Sequence, residues 1–199
     1  MITRYAATHE SFIGLNEADL VSVAQKGDLE AFNRLVLSYQ DKIFTLAVRI
    51  LGDEDSAKDI TQNTFVSAYL KLHRFRNGSF RSWLYRIATN ACYDEFRRHK
   101  RHPILSFEDE DDAEERLSPL YDFSGPGILP EKEFERRELE HVVQQALNQL
   151  DTDQRAAVVL VDLQDFDYQE AAQILGVPIG TVKSRLARAR LQLHHLLNT

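Results

Sequence analysis

The sequence predicts an all-α protein: two small helical domains joined by a flexible acidic linker, the C-terminal one containing a helix-turn-helix. Three observations lead there. Apolar residues recur at three- and four-residue spacing along most of the chain, and nowhere do they alternate over a sustained run as a strand requires. The 8 glycines and 5 prolines are confined to a few boundaries, which leaves long uninterrupted periods between them. From 102 to 130 the period stops, and Ser118, Pro119, Ser124, Gly125, Pro126, Gly127 and Pro130 punctuate an acidic stretch.

Residues 1–16 are an N-terminal tail. The first domain, 17–101, opens with NEADLVSVAQKGD, where Asn16 suits a helix N-cap and Gly27 a stop. A long helix follows over 29–52, in which Phe32, Leu35, Val36, Tyr39, Ile43, Leu46, Ala47 and Ile50 hold the helical spacing and Gly52 closes the run. The helix over 53–75 begins with acids, at the end whose dipole favours them. NGS at 77–79 turns the chain into the fourth helix, 80–101, which stops before Pro103. In the second domain, 131–199, helices are expected over 131–150, 152–164 and 168–175, with a last one after Pro178. Between the domains, the linker can reach on the order of 90 Å extended, or roughly 30 Å as a flexible coil.

The totals narrow the function classes. An apolar content of 43% suffices for real cores, no apolar run approaches membrane length, and the N-terminus lacks a secretory pattern, so a cytoplasmic protein is expected. Cys92 stands alone and reads as a small buried hydrophobe. No metal and no cofactor are expected: no His/Cys cluster has ligand spacing, and His194 and His195 point about 100° apart on a helix. Nor is there a catalytic constellation, because the carboxylates cluster where nothing fixes their geometry.

Charge is segregated along the chain, so the formal net charge of -7 says little about any one surface. Between Lys71 and Arg101 nine Lys/Arg face only Asp94 and Glu95, whereas between His102 and Arg136 eleven acids face Arg116, Lys132 and Arg136. Aromatics are interleaved with the first of these runs. Phe80, Trp83, Leu84, Ile87, Ala88 and Ala91 share a packing face, which leaves Arg81, Arg86, Thr89, Asn90, Tyr93, Arg97 and Arg98 to face outward. Cations that follow a backbone, beside polar and aromatic groups that hold an unstacked base, suit single-stranded DNA.

The second cationic run is GVPIGTVKSRLARARLQL, 176–193. Val182, Leu186, Ala189 and Leu193 form its apolar stripe, and Thr181, Ser184, Arg185, Arg188 and Gln192 lie roughly opposite. Upstream, Tyr168, Ala171, Ala172 and Leu175 recur at helical spacing in DYQEAAQIL, Gly176 suits a left-handed C-cap, and Pro178 prevents continuation. Thr181 can cap the next helix or sit in its first turn. Helix, short glycine turn and cationic helix make a helix-turn-helix whose second helix enters a major groove.

Taken in order, AFNRLVLSYQDKIFTLAVRIL, DEDSAKDITQNTFVSAYLKL, FRSWLYRIATNACYDEFRR and DYQEAAQILGVPIGTVKSRLARAR resemble the extracytoplasmic-function (ECF) sigma factors of the sigma-70 family, which are bacterial transcription initiation factors. The likeness covers 17–101 and 131–197. It implies that the first domain is sigma region 2, docking on the RNA polymerase core through Asp59, Gln62, Asn63 and Phe65. It implies that the same domain recognises and melts the minus-ten element, with Asn90 and Asp94 lining a pocket for a flipped base and Arg81, Arg86, Arg97 and Arg98 on phosphates. Region 4 would read the minus-thirty-five duplex through Ser184, Arg185 and Arg188, with Thr181 and Lys183 nearer phosphates. Lys183 projects about 160° from Arg185, which favours a phosphate contact over a base. The implied partners are bacterial RNA polymerase core, promoter DNA and an inhibitory anti-sigma factor. Where the family has Tyr-x-Glu-Ile-Ala, this chain has Tyr168-Gln169-Glu170-Ala171-Ala172. The competing reading is a free-standing helix-turn-helix repressor, which explains 168–193 but not the aromatic-basic helix at 80–101.

Overall fold

Side-chain caps set the helix boundaries. The computed structural model describes residues 16–76, 78–101 and 130–198, so the tail before Asn16 and the linker over 102–129 lie outside it. Helix α1 is Glu17–Gln25, α2 Leu29–Leu51, α3 Glu54–Lys71 and α4 Phe80–Arg101; a 3₁₀ turn, Leu72–Arg74, extends α3. In the second half α5 is Pro130–Asn148, α6 Thr152–Val158, α7 Tyr168–Leu175 and α8 Ile179–Leu197. Asn16, Asp28 and Asp53 each accept a backbone N–H of the turn that follows, at 3.0, 2.9 and 2.7 Å. Such a cap contributes about 1 kcal/mol. Asp167 does the same for α7 and completes a capping box with Glu170. Gly52 (φ +78°) and Gly176 (φ +66°) end α2 and α7 in the left-handed conformation that glycine adopts at least cost.

Where one helix over 152–164 was expected, the α-helical winding stops at Val158 and a π-wound turn carries Val159–Leu163. Asp165 then takes a left-handed φ of 55°, and the Phe166 N–H returns to the Leu160 carbonyl (3.1 Å). The wider winding and the reversal turn Phe166 inward, where it is 2% exposed. Spacing alone does not mark this. Thr181 sits in the first turn of α8, its N–H bonded to the Pro178 carbonyl at 2.9 Å. In α7 it is Ile174, with Ala171 and Ala172, that packs inward, while Tyr168 points outward.

The two domains pack against each other. Leu35, Ile43, Leu46, Ile50 and Leu84 of the first half and Leu147, Leu160, Phe166, Ile174 and Leu186 of the second belong to one continuous buried cluster. Each such side chain contributes about 1.5–3 kcal/mol by leaving water. A polar clasp reinforces the seam. Arg155, 7% exposed, donates to the carbonyls of Ile50 (2.7 Å), Asn148 (2.8 Å) and Leu150 (3.3 Å), so one guanidinium serves the C-terminal ends of α2 and α5. Beside it Gln144 donates to the Val48 carbonyl (3.4 Å), and Arg49 to Gln144 Oε1 (3.1 Å) and the Glu140 carbonyl (3.3 Å). Among the described residues no helix is long and apolar enough to cross a membrane.

Candidate nucleic-acid interface

Helix α4 carries three different flanks. Phe80, Leu84 and Ala88 pack into the first half's core, as their spacing predicted. Arg86, Asn90, Asp94 and Arg97 are exposed and fall within about 80° of one another on the helical wheel, with Arg98 at its margin, over about 18 Å of helix. Asp94 pairs with Arg97 (2.9 Å) and Glu95 with Arg98 (2.5 Å), so this strip offers cations already tethered to the helix. The third flank was expected to face outward and does not. Thr89 is buried and Tyr93 partly so; α7 packs against α4, and Asp153 of α6 lies beside Tyr93. Tyr85 is buried there too, and its hydroxyl donates to Gln164 Oε1 (2.6 Å). Burial raises both phenols above their ordinary pKa, and Asp153 beside Tyr93 adds to the effect, so both remain neutral.

Arg81 also belongs to this covered flank. Its guanidinium donates to the Gln164 carbonyl and lies 4.0 Å from the Phe166 ring centroid. Phe166 and Tyr85 meet edge to face at 4.7 Å. Arg81 is thereby separated from Arg86, Asn90, Asp94, Arg97 and Arg98, which the structure leaves open together.

Next to the exposed strip is a cleft of about 260 Å³ lined by Arg74, Phe75, Arg76, Trp83, Arg86 and Gln173, with no acidic residue on its walls. Arg74, Arg76 and Arg86 have no ion-pair partner among the described residues. Its floor is held from two sides. Gln25 donates to the carbonyls of Leu72 (3.0 Å) and Phe75 (2.6 Å), and Trp83 stacks with Phe75 and Phe80 at 5.2 and 5.7 Å. Sequence reasoning missed Arg74, Phe75 and Arg76 as site residues. The signal was the run RFR immediately before NGS, a cation-aromatic-cation triplet at a turn.

On α8, Lys183, Ser184 and Arg188 are exposed and Thr181 is half-buried. Arg185 turns back to pair with Asp153 of α6, and Arg190 with Asp162 (2.5 Å), so acids of the same domain hold two of the helix's cations. Lys183 and Arg188 have no such partner among the described residues. Ser184 and Arg188 lie within about 40° of each other on the helical wheel with Arg185 beside them, whereas Lys183 projects about 140° from Arg188.

A third surface lies on α2 and α3. Asp59, Gln62 and Asn63 are exposed and Phe65 is half-buried. Gln62 and Phe65 line a mostly apolar groove of about 530 Å³ with Val36, Gln40, Phe44 and Lys58, while Asp59 and Asn63 sit beside it. Leu37 of α2 (67% exposed) and Leu70 of α3 (65%) are further exposed apolar side chains on these two helices. They too escaped the sequence reading, although apolar residues off the packing stripe are its signal.

Comparison with known proteins decides what these surfaces belong to. The family model for Sigma-70 region 2 matches residues 35–102, and that for Sigma-70 region 4 matches residues 140–193. This chain belongs to the sigma-70 family. Its relatives place it in the ECF branch. It is 39% identical to the RNA polymerase sigma-H factor of Pseudomonas aeruginosa over 177 residues, covering 87% of this chain and 90% of that one. It is 36% identical to the ECF RNA polymerase sigma factor SigW of Bacillus subtilis over 178 residues, covering 89% and 94%. Among solved structures it is similar to CnrH in complex with the cytosolic domain of CnrY, with a TM-score of 0.64, 29% identity and coverage of 90% and 95%. It is also similar to the sigma factor RpoE in complex with the anti-sigma factor NepR from Bartonella quintana, with a TM-score of 0.62, 30% identity and coverage of 84% and 97%. These sigma-70 relatives are transcription initiation factors rather than enzymes. Region 2 of this sigma factor thus comprises most of α2 with α3 and α4, and region 4 the C-terminal half of α5 with α6, α7 and most of α8.

Proposed function

We propose that this ECF sigma factor acts in the cytoplasm, binds bacterial RNA polymerase core and directs initiation by reading two promoter elements in different physical forms. Region 4 reads the minus-thirty-five duplex: Ser184, Arg185 and Arg188 address base edges and neighbouring backbone, and Thr181 and Lys183 address phosphates. Region 2 captures the melted minus-ten strand. Arg86, Arg97, Arg98 and, once uncovered, Arg81 follow its phosphates, while Asn90, Asp94 and the arginine-aromatic cleft receive an unstacked base. Asp59, Gln62, Asn63 and Phe65, at the α2–α3 groove, contact the core enzyme. By likeness to RpoE, which was solved with an anti-sigma factor, an anti-sigma factor is its inhibitory partner.

The observation that carries the reading is the presence in one chain of an exposed basic strip beside an acid-free arginine-aromatic cleft and, separately, of a helix-turn-helix with free cations. A repressor needs only the second. Run-off transcription over a genomic promoter library, with and without this protein added to core polymerase, tests it. Promoter-selective transcripts that require the protein are expected. Site-specific binding of duplex by the protein alone, with no transcript from the reconstituted enzyme, would establish the repressor instead.

A further inference from the structure

Of the cations on the groove side of α8, one is held from behind. Arg188 is exposed and has no ion-pair partner among the described residues. Arg185, about 60° away on the helical wheel, has a side chain only 19% exposed and pairs through Nη2 with Oδ2 of Asp153. It has no second partner among the described residues, and its Nε and Nη1 stay open to solvent. The acid is fixed by its own helix. Asp153 stands in the first turn of α6, where the dipole favours a carboxylate, and its N–H bonds to Oδ1 of the cap Asp151 (2.9 Å). One turn on, Ala156 and Ala157 are fully buried, so α6 is anchored. With Asp153 47% exposed, such a pair adds little to stability, and folding alone gives no reason to hold Arg185 in one geometry.

A guanidinium carries five N–H donors in a rigid planar fork. Tied at Nη2 by one carboxylate oxygen, it still offers Nε, Nη1 and the second Nη2 hydrogen, and two of these side by side match the O6 and N7 acceptors of guanine in a major groove. We propose that Asp153 is a positioning residue for base reading: it fixes the guanidinium plane of Arg185 from behind, so that the free donors address one guanine of the minus-thirty-five duplex. The inference rests on the proposed reading of region 4 and adds to it the residue that orients Arg185 and the base that Arg185 prefers. A fork set before DNA arrives loses less rotamer freedom on binding. Asp153 also places a negative charge beside the helix face that meets DNA, where a carboxylate with no other task weakens binding.

The second acid on this helix serves as the comparison. Asp162 takes Arg190 through both oxygens (2.5 and 3.1 Å), but Arg190 projects about 160° from Arg188, away from the groove side. Asp162 therefore orients nothing toward a base.

Selection from a random-sequence duplex library by the full chain on core polymerase tests this; if no holoenzyme forms, the selection is run on the protein alone, so failure of the polymerase reading does not hide the result. Wild type, Arg185→Ala, Asp153→Asn and Asp162→Asn are compared by base preference at each position and by affinity for the sequence the wild type selects. The wild type is expected to prefer guanine at one position by roughly tenfold or more. Arg185→Ala and Asp153→Asn should each lose that preference and no other, and combining them should lose nothing further. Unselected duplexes should bind Asp153→Asn no more weakly than the wild type, since a negative charge has gone. Asp162→Asn should keep the wild-type pattern.

A guanine preference kept in Asp153→Asn but lost in Arg185→Ala overturns the proposal and leaves the region 4 reading standing. So does tighter binding of the selected sequence by Asp153→Asn, which would make Asp153 a competitor for Arg185 rather than its support. An equal loss at every position with a lowered melting temperature reduces Asp153 to a structural residue and overturns it as well. If Arg185→Ala itself keeps every wild-type preference, the reading of Arg185 on the duplex fails, and this inference with it.

Discussion

Helices α4 and α8 are both cationic and amphipathic, yet the structure treats their cations in opposite ways. On α8 the restraints are local: Asp153 and Asp162, from α6 and the turn that extends it, hold Arg185 and Arg190, and the groove-facing surface stays open whatever the first domain does. On α4 the restraint comes from the other domain. Gln164 and Phe166 hold Arg81, and Tyr85, Thr89 and Tyr93 are covered with it. On the proposed reading, α8 as a duplex reader works on a preformed surface, whereas α4 as a strand catcher exposes aromatics that otherwise adhere to apolar partners. That difference in hazard is a physical reason to shield one helix and leave the other bare.

The largest expected effect comes from breaking the shield at its clasp. Arg155→Ala removes a buried guanidinium and leaves the Ile50, Asn148 and Leu150 carbonyls without their charged donor. Loss of these bonds is expected to cost about 3 kcal/mol in urea unfolding. The radius of gyration from small-angle scattering should rise as the halves part. Binding of a minus-thirty-five duplex should change little, because Arg155 touches neither Lys183 nor Arg188. An unchanged radius would show that the apolar seam alone holds the domains together, and the contrast between the two helices would then rest on Phe166.

A smaller effect sharpens the α8 side. Arg188→Ala is expected to weaken promoter binding by about 2 kcal/mol, mostly through discrimination at one base pair. Lys183→Ala is expected to weaken all sequences alike and to reduce the slope of log affinity against log salt by about 0.9. Titrations of holoenzyme on matched and single-substituted minus-thirty-five duplexes at several salt concentrations separate the two. If Arg188→Ala acts equally on every sequence, Arg188 is a phosphate contact.

Much of this architecture is legible from spacing and caps. Asn16, Gly27, Gly52 and Gly176 mark boundaries that the structure keeps, because caps and left-handed glycines act within a few residues of sequence. The α8 surface was legible for the same reason, apart from the inward turn of Arg185 toward an acid thirty-two residues earlier. The covered flank of α4 was not. On a helical wheel, Thr89 and Tyr93 look like an outward polar face, and the wheel carries no sign that α7 packs against α4 or that Asp153 lies beside Tyr93. The π-wound turn has no marker either, since VVLVDLQ reads as ordinary helix.

The smallest predicted effect reads the covering of α4 from within that helix. Cys92 lies seven residues beyond Tyr85, on nearly the same flank, and is fully buried. Burial pushes its thiol from 9.0 up to about 12, so at pH 8 the folded protein should hold ~1,000-fold less thiolate than an exposed cysteine. Alkylation by iodoacetamide should accordingly be very slow at pH 8 and should keep rising above pH 9, where an exposed thiol levels off. The stability that goes with the raised value is fully present below pH 9 and fades as pH climbs from there toward 12, so alkali should loosen the fold. If the second domain is what shields this flank, Arg155→Ala should accelerate labelling at pH 8 while circular dichroism still reports intact helices. Equal labelling rates in the variant and the wild type would place the shielding of Cys92 within the first domain and confine the second domain's reach to Arg81, Tyr85, Thr89 and Tyr93.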